Sequence, residues 1–296
     1  MLSGLAIPVP TLFDESGALD PGRNGTYARA LCTAGADHLF VLGSLGEFPT
    51  VEDSERRLLL EADIESLTGK TDAWVGVGAP STRLAVRYAT MAEELGAAAL
   101  VAVPPYYLHP TPDAIAHYYR AIRDATKIPL LAYNIPSLVG YPLAPELVHR
   151  LARERILDGL KDTAGYLASV VSFLHGAPEG FPVLPGDDAL AAASIESGAT
   201  GAIMGTANVV PKLGSALVRA ARAHETARAN ELQILVTRLA EAIHAGPFPS
   251  AGKYLSTRTW GARVGYRAPY EPLTPEQERV VLGAFEPLLP SLRPFL

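Results

Sequence analysis

The chain has 296 residues, of which 48% are hydrophobic and 19% charged, and its formal net charge is −6. This composition excludes a disordered chain, and the acidic balance without a basic stripe excludes nucleic acid as a main partner. One cysteine (Cys32), no apolar run long enough for a membrane span and no basic leader together predict a soluble, cytoplasmic protein without disulfides.

Eight short apolar segments are predicted to be strands. In chain order they are residues 5–12, 38–44, 73–79, 98–105, 128–136, 156–162, 181–187 and 201–207. Amphipathic stretches lie between them, with helix starts indicated at Asp20-Pro21, Thr50 to Glu55, Ser81, Thr111-Pro112-Asp113 and Pro145-Glu146. Short apolar strands that alternate with helices indicate βα units and a parallel sheet covered on both faces.

The number of βα units predicts an α/β fold of the (β/α)8 TIM-barrel type over residues 1–222. A doubly wound sheet is the alternative, but no G-x-G-x-x-G sequence follows a strand. Residues 223–296 are predicted to form a helical extension packed on the barrel. Within it, "AGPFPSAGKY" is interpreted as a Pro- and Gly-rich connector between two helical stretches.

The active site of a TIM barrel lies at the carboxyl ends of its strands. In this chain those ends read "GSLGE" (43–47), "PPYY" (104–107), "YNIP" (133–136), "KDT" (161–163), "GDD" (186–188) and "MGTAN" (204–208). These segments supply the candidate site residues, which are Ser44, Leu45, Tyr107, Tyr133, Lys161, Thr163, Gly186, Asp188 and Met204.

Lys161 is the only one of five lysines at the carboxyl end of a predicted strand. If the segment is extended, Lys161 points the same way as Gly159 and Leu157. Many strand-end lysines are surface cations, but an inward-facing lysine loses contact with water. Because desolvation disfavours the ammonium form, the position indicates a reactive neutral amine.

The other candidates each have two interpretations. "GSLGE" either makes a plain turn or sets backbone amides at the base of a helix, where they suit a carboxylate. Tyr133 is either a core aromatic or a reactive hydroxyl, and Tyr107 fits an interface as well as a site. Asp187 and Asp188 precede a helical stretch, so at least one of them is expected to cap it.

The histidines give no sign of a metal site. The seven of them form neither an H-x-H nor an H-E-x-x-H pattern, which argues against a zinc-dependent aldolase. The sequence also contains no G-x-S-x-G elbow and no Walker A motif.

Six motifs in order resemble the dihydrodipicolinate synthase / N-acetylneuraminate lyase family of class I aldolases. They are "GSLGE", "PPYYLHP", "YNIPSLVG", "GLKDT", "PGDDA" and "GTANVVP", flanked by "PVPTLFDESGALD" at one end and "PFPSAGK" and "RAPY" at the other. The resemblance implies that Lys161 forms a Schiff base with the C2 carbonyl of a 2-keto acid and that Tyr133 is the general acid/base. It further implies that Ser44 and the amides of Ser44 and Leu45 hold the keto acid's carboxylate.

The resemblance also has implications for assembly. Tyr107 would complete a hydroxyl relay across a dimer interface, so a homodimer or homotetramer is expected. Neither a metal nor an organic cofactor would be needed, and the partner would be a small 2-keto acid.

Departures from the family pattern guide the choice of substrate. Dihydrodipicolinate synthases carry two threonines at the positions of Ser44 and Leu45, and an arginine at the position of Leu138. "YNIPSLVG" and Thr163 are nearer to the sialic-acid lyase and keto-deoxy sugar-acid aldolase branch, although Ala189 replaces the acidic residue of sialic-acid lyases. The expected function is therefore cleavage or dehydration of a 2-keto-3-deoxy sugar acid. The alternatives are a dihydrodipicolinate synthase and a non-catalytic keto-acid sensor.

Overall fold

Eight parallel strands form a sheet that closes almost completely into a barrel. The computed structural model describes residues 2–261 and 264–296. The strands are β1 (Gly4–Pro8), β2 (His38–Val41), β3 (Asp72–Gly76), β4 (Ala99–Ala102), β5 (Leu130–Asn134), β6 (Gly159–Asp162), β7 (Val183–Pro185) and β8 (Gly201–Ile203). They lie in the order β7-β6-β5-β4-β3-β2-β1-β8, and the amide of Thr200 donates to the carbonyl of Val183 across the remaining gap. The predicted TIM barrel is confirmed.

Helices surround the barrel. They are α1 (Pro21–Thr33), α2 (Asp53–Glu65), α3 (Thr82–Glu94), α4 (Pro112–Ala125), α5 (Pro136–Val139), α6 (Pro145–Arg153), α7 (Leu167–Leu174), α8 (Ala191–Glu196) and α9 (Pro211–Arg222). The predicted helix starts are confirmed by the observed helices, and two of them are capped: the side chains of Asp20 and Thr111 accept hydrogen bonds from the amides of Arg23 and Ala114. Proline at the first helical position of α1 and α4 supports the same starts.

The strands separate two apolar layers. Along β5, Leu131 and Tyr133 point into the barrel with Phe40 and Trp74, whereas Leu130 packs in the layer between sheet and helices. This alternation follows from the two-residue period of a strand. It places every second residue of each strand inside the barrel.

The strands end earlier than the apolar patterns predict. β8 ends at Ile203, and a 3-10 turn follows over Gly205–Asn208; β7 ends at Pro185, with a 3-10 turn over Asp188–Leu190. These segments leave the sheet and form loops over the carboxyl end of the barrel. The candidate site is built from these loops.

The C-terminal extension is more helical than its sequence indicates. It contains α10 (Thr226–His244), α11 (Ser250–Thr259), α12 (Pro275–Phe285) and α13 (Leu289–Leu292). The interpretation of "AGPFPSAGKY" as a connector is wrong for its second half, because α11 begins at Ser250, directly after Pro249. A proline outside the helix costs it no hydrogen bond. The boundary at residues 222 and 223 remains a prediction.

No helix within residues 2–261 and 264–296 combines the length and the apolar character that a membrane crossing requires.

Candidate active site

Lys161 and Tyr133 lie side by side inside the barrel. They are directly opposite each other on the neighbouring strands β6 and β5, and each is 4% exposed. The Lys161 Nζ atom is 4.0 Å from the centroid of the Tyr133 ring and 4.8 Å from that of Phe40. The predicted inward direction of Lys161 is confirmed, but Leu157 packs in the outer layer because the strand begins only at Gly159.

The Lys161 amine has no polar partner in the described part of the chain. Neither an ion pair nor a hydrogen bond to its Nζ atom occurs there, and the same holds for the Tyr133 hydroxyl. Aromatic rings stabilise a nearby ammonium only weakly compared with a carboxylate. An amine in this position remains available to react.

A cavity of about 150 Å³ opens above Lys161 at the carboxyl end of the barrel. Seven of the nine predicted site residues line it: Ser44, Leu45, Tyr133, Lys161, Thr163, Gly186 and Asp188. They come from the ends of β2, β5, β6 and β7, which meet at one edge of the barrel. The structure thus brings most of the predicted site together.

Thr163 and Gly186 shape the space next to the lysine. The Thr163 Oγ1 atom is buried and has no hydrogen-bond partner among the described residues. A Cβ atom added at Gly186 would lie 2.6 Å from Lys161 Cε and would also overlap Thr163 Oγ1. Only glycine therefore fits at position 186, and Thr163 offers an unused hydroxyl within the site.

Asp188 is held by several donors. Its Oδ2 accepts from the Gly205 amide at 3.1 Å, and its Oδ1 accepts from the Thr206 hydroxyl at 3.0 Å. Burial is the largest influence on this carboxyl group and raises its pKa to about 6, although the hydrogen bonds act in the opposite direction. The 3-10 turn that begins here is capped by Asp187, whose side chain accepts from the Ala189 amide. Asp188 remains free to contact a ligand.

The 43–47 loop, "GSLGE", offers two free amides. In the part of the chain that the structure describes, the N–H groups of Ser44 and Leu45 donate to no protein acceptor. Of the two interpretations of this segment, the plain turn fits the structure, because a three-residue 3-10 turn follows and α2 begins only at Asp53. Any affinity for a carboxylate therefore comes from the free amides and the Ser44 hydroxyl, without a helix dipole.

Two predicted site residues lie outside the cavity. Met204 is fully buried. It packs on the same side as Ala202, in the layer between sheet and helices, whereas Ile203 points inward and lines the cavity. Tyr107 is 88% exposed and has a φ of +77°, a conformation that is uncommon for residues other than glycine. Within one chain, the structure does not bring either side chain to Lys161.

Several cavity residues were not predicted from the sequence. Ala240, Ile243, His244, Phe248 and Gly252 form one wall from the C-terminal extension, and Pro8, Ile135, Ile203, Gly205 and Thr206 complete the lining. Ile135 and Ile203 could have been found from strand alternation. The wall from the extension has no local signal, because only tertiary packing brings α10 and α11 over the barrel.

The whole-chain comparisons agree with this architecture. The model of the dihydrodipicolinate synthetase family matches residues 1–285. The chain belongs to that family. It is therefore a class I lyase, an enzyme type that works through a lysine Schiff base.

Individual relatives carry two kinds of name. A 4-hydroxy-tetrahydrodipicolinate synthase of Aromatoleum aromaticum is 32% identical, with 96% of this chain and 97% of the relative covered. A probable 2-dehydro-3-deoxy-D-pentonate aldolase of Escherichia coli K12 is 36% identical, with 85% of each chain covered. The solved structure of a 2-keto 3-deoxygluconate aldolase from Picrophilus torridus superposes with a TM-score of 0.86 at 28% identity, covering 93% of this chain and 99% of that one.

Proposed function

We propose that this enzyme cleaves or dehydrates a 2-keto-3-deoxy sugar acid through a Schiff base on Lys161. The observation that carries the proposal is the pair of Lys161 and Tyr133, which face the same cavity from opposed positions on neighbouring strands. A binding protein has no need for a buried amine without a partner, so the pair favours catalysis over a keto-acid sensor.

The carboxylate of the 2-keto acid would bind at the 43–47 loop. The free N–H groups of Ser44 and Leu45 and the Ser44 hydroxyl supply up to three donors for it. Bound in this way, the substrate presents its C2 carbonyl to the Lys161 amine. The Schiff base forms as Nζ bonds to C2 and the carbonyl oxygen leaves as water.

Tyr133 would move the protons of this reaction. Its hydroxyl can protonate the departing oxygen and later accept the proton of the C4 hydroxyl when the C3–C4 bond breaks. The electrons of that bond pass into the protonated imine and leave the enamine of pyruvate, while the C4 fragment departs as an aldehyde. Protonation of the enamine at C3 and hydrolysis of the resulting imine release pyruvate and restore the Lys161 amine. In dehydration, the imine of the intact chain would instead lose a C3 proton to Tyr133, which would pass it to the C4 hydroxyl as that group leaves as water.

Thr163 and Asp188 would bind the hydroxylated chain of the substrate. Thr163 Oγ1 is an unused donor and acceptor beside the lysine, and the Asp188 carboxylate has acceptor positions left after its bonds to Gly205 and Thr206. These two polar groups suit a chain with a few hydroxyls. Gly186 leaves room for that chain, whereas Met204 faces the helices and would support the site only from behind.

Leu138 favours a keto-deoxy sugar acid over aspartate semialdehyde as the substrate. It lines a neighbouring cavity of about 310 Å³, together with Phe48, Tyr106, Phe248, Tyr270 and five other residues that carry no charge. A second substrate carboxylate would find no cation among these described residues, and its burial there would be costly. Losing about 3 kcal/mol of binding lowers kcat/KM by about two orders of magnitude.

Assembly would place Tyr107 at a dimer interface. Its exposed ring and strained backbone fit a residue that a second copy of the chain covers. We propose a homodimer or homotetramer in which Tyr107 completes the hydroxyl relay of Ser44 and Tyr133 in the neighbouring subunit. Equilibrium sedimentation of wild type and Tyr107→Ala would test this assembly.

The decisive experiment compares two reactions in one preparation. Cleavage of 2-keto-3-deoxy pentonate and hexonate acids is measured beside condensation of pyruvate with aspartate semialdehyde. We expect kcat/KM for condensation to be at least 10²-fold lower than kcat/KM for cleavage. Leu138→Arg should reduce this difference, whereas the control Leu138→Met should not. Efficient condensation by the wild type, with kcat/KM of about 10⁴ M⁻¹s⁻¹ or above, would identify the enzyme as a dihydrodipicolinate synthase.

A further inference from the structure

A second buried lysine lies next to the site without lining it. Lys253 in α11 donates from Nζ to Glu47 Oε1 at 2.9 Å, and the two side chains are 0% and 1% exposed. Glu47 Oε2 has no hydrogen-bond partner among the described residues. A buried ion pair of this kind contributes little to stability, because desolvation offsets the attraction. Its location suggests a different role.

Glu47 is the last residue of the 43–47 loop, and its backbone is strained. Its φ is +52°, and Leu42, which directly precedes the loop, has a φ of +58°. Left-handed conformations at residues other than glycine persist only where the surrounding structure enforces them. The pair with Lys253 is the strongest interaction of the Glu47 side chain, so it fixes one end of the loop.

The same helix contacts the middle of the loop. A Cβ atom at Gly252 would lie 3.3 Å from Leu45 Cδ1, so α11 packs closely against Leu45. From the other side, the Thr11 hydroxyl donates to the Gly46 carbonyl at 2.6 Å. The loop is thus held between the segment that follows β1 and α11, which are far apart in the sequence.

We propose that Glu47 and Lys253 are positioning residues that keep the Ser44 and Leu45 amides available for the substrate carboxylate. The inference rests on the proposed function, since it assumes that these amides bind that carboxylate. Neither residue lines the cavity, so each acts only through the loop.

The test replaces the ion pair by two apolar side chains of similar volume. The double variant Glu47→Met, Lys253→Met leaves no unpaired buried charge, so its melting temperature is expected to stay near that of the wild type. Imine formation is trapped with borohydride over a range of pyruvate concentrations and measured by intact mass. We expect the half-saturating pyruvate concentration to rise 10- to 100-fold, because the hydrogen bonds from both backbone N–H groups to the carboxylate are weakened. kcat at saturating substrate should change less than threefold.

Two further variants define the role of the hydrogen bond. In Glu47→Gln, the side-chain amide oxygen can still accept a hydrogen bond from Lys253. The half-saturating pyruvate concentration should therefore stay within threefold of that of the wild type. Glu55→Gln is the matched control, because it alters a different ion pair, Glu55 Oε1 to Arg267 Nη2 at 2.7 Å, on the same side of the barrel. It should leave half-saturation unchanged, whatever its effect on melting.

Each outcome decides a separate question. The positioning role is overturned if the double variant folds and its half-saturating pyruvate concentration equals that of the wild type. It is also overturned if this concentration rises as much in Glu47→Gln as in the double variant. If the double variant fails to fold, the variant Glu47→Gln, Lys253→Met decides. It removes the hydrogen bond and leaves no buried charge, and an unchanged half-saturating pyruvate concentration in it overturns the proposal. Failure of the wild type to be trapped at Lys161 would instead contradict the proposed function.

Discussion

Lys161 and Lys253 are both buried and both lie over two aromatic rings, but their surroundings differ in one respect. Lys253 is 4.7 Å from the Phe13 centroid and has Glu47 as its partner, whereas Lys161 has no carboxylate partner within the described chain. Burial lowers the pKa of Lys253, and the attraction of Glu47 opposes that shift. Burial is thus common to the two lysines, whereas the absence of a counter-ion and access to a cavity distinguish Lys161.

The largest expected effect comes from removing Lys161. Incubation with pyruvate and borohydride should add one reduced pyruvyl mass at this residue, and Lys161→Ala should abolish both the label and turnover. Lys253→Met should still be labelled at Lys161 when pyruvate is saturating. A label on Lys253 in the wild type would reverse the assignment of the two lysines.

A second experiment gives Lys161 the kind of partner that Lys253 has. Thr163→Asp introduces a carboxylate close to the Lys161 side chain, which stabilises the ammonium form and should slow imine formation by about 10²-fold at pH 7. Thr163→Asn has nearly the same shape without the charge and should cost less than tenfold. Equal trapping rates in the two variants would show that a nearby carboxylate does not slow imine formation at Lys161.

Tyr133→Phe separates the aromatic surroundings of Lys161 from its proton chemistry. The ring under Nζ remains, so borohydride trapping should persist, but kcat should fall by about 10²-fold because the general acid/base is lost. Tyr88→Phe is the control, since its hydroxyl donates to Asp53 between the outer helices α3 and α2 and does not line the cavity. An unchanged kcat in Tyr133→Phe would remove this residue from the mechanism.

The smallest effect concerns Asp188, a half-buried carboxyl group that is held by hydrogen-bond donors and has no cation as a partner within the described chain. Burial raises the pKa of Asp188 to about 6 from its ordinary value of 3.8, so the folded state binds the proton more tightly than the unfolded chain does. The resulting stabilisation is complete below about pH 4 and is lost as the pH rises through 6, with a change of up to about 3 kcal/mol. Urea unfolding at several pH values should show this decline in the wild type and not in Asp188→Asn. If the free energy of unfolding depends on pH in the same way in both proteins, the raised pKa of Asp188 is contradicted.

The sequence predicted the barrel well because its signals are local. Each strand is a short apolar run, and caps such as Asp20 and Thr111 mark the helix starts. It did not predict which face of β8 points inward, because both faces of a barrel strand are apolar. Met204 was therefore chosen where Ile203 lines the cavity. The helix at Ser250–Thr259 and the cavity wall from the extension depend on tertiary contacts that leave no local pattern.

The bond between Glu47 and Lys253 joins residues 206 positions apart. At a synthesis rate of about 5–20 residues per second, the ribosome makes Lys253 roughly 10–40 s after Glu47. Throughout that interval Glu47 lacks the cation that it pairs with in the folded barrel, so the 43–47 loop can gain this contact only after α11 has been made.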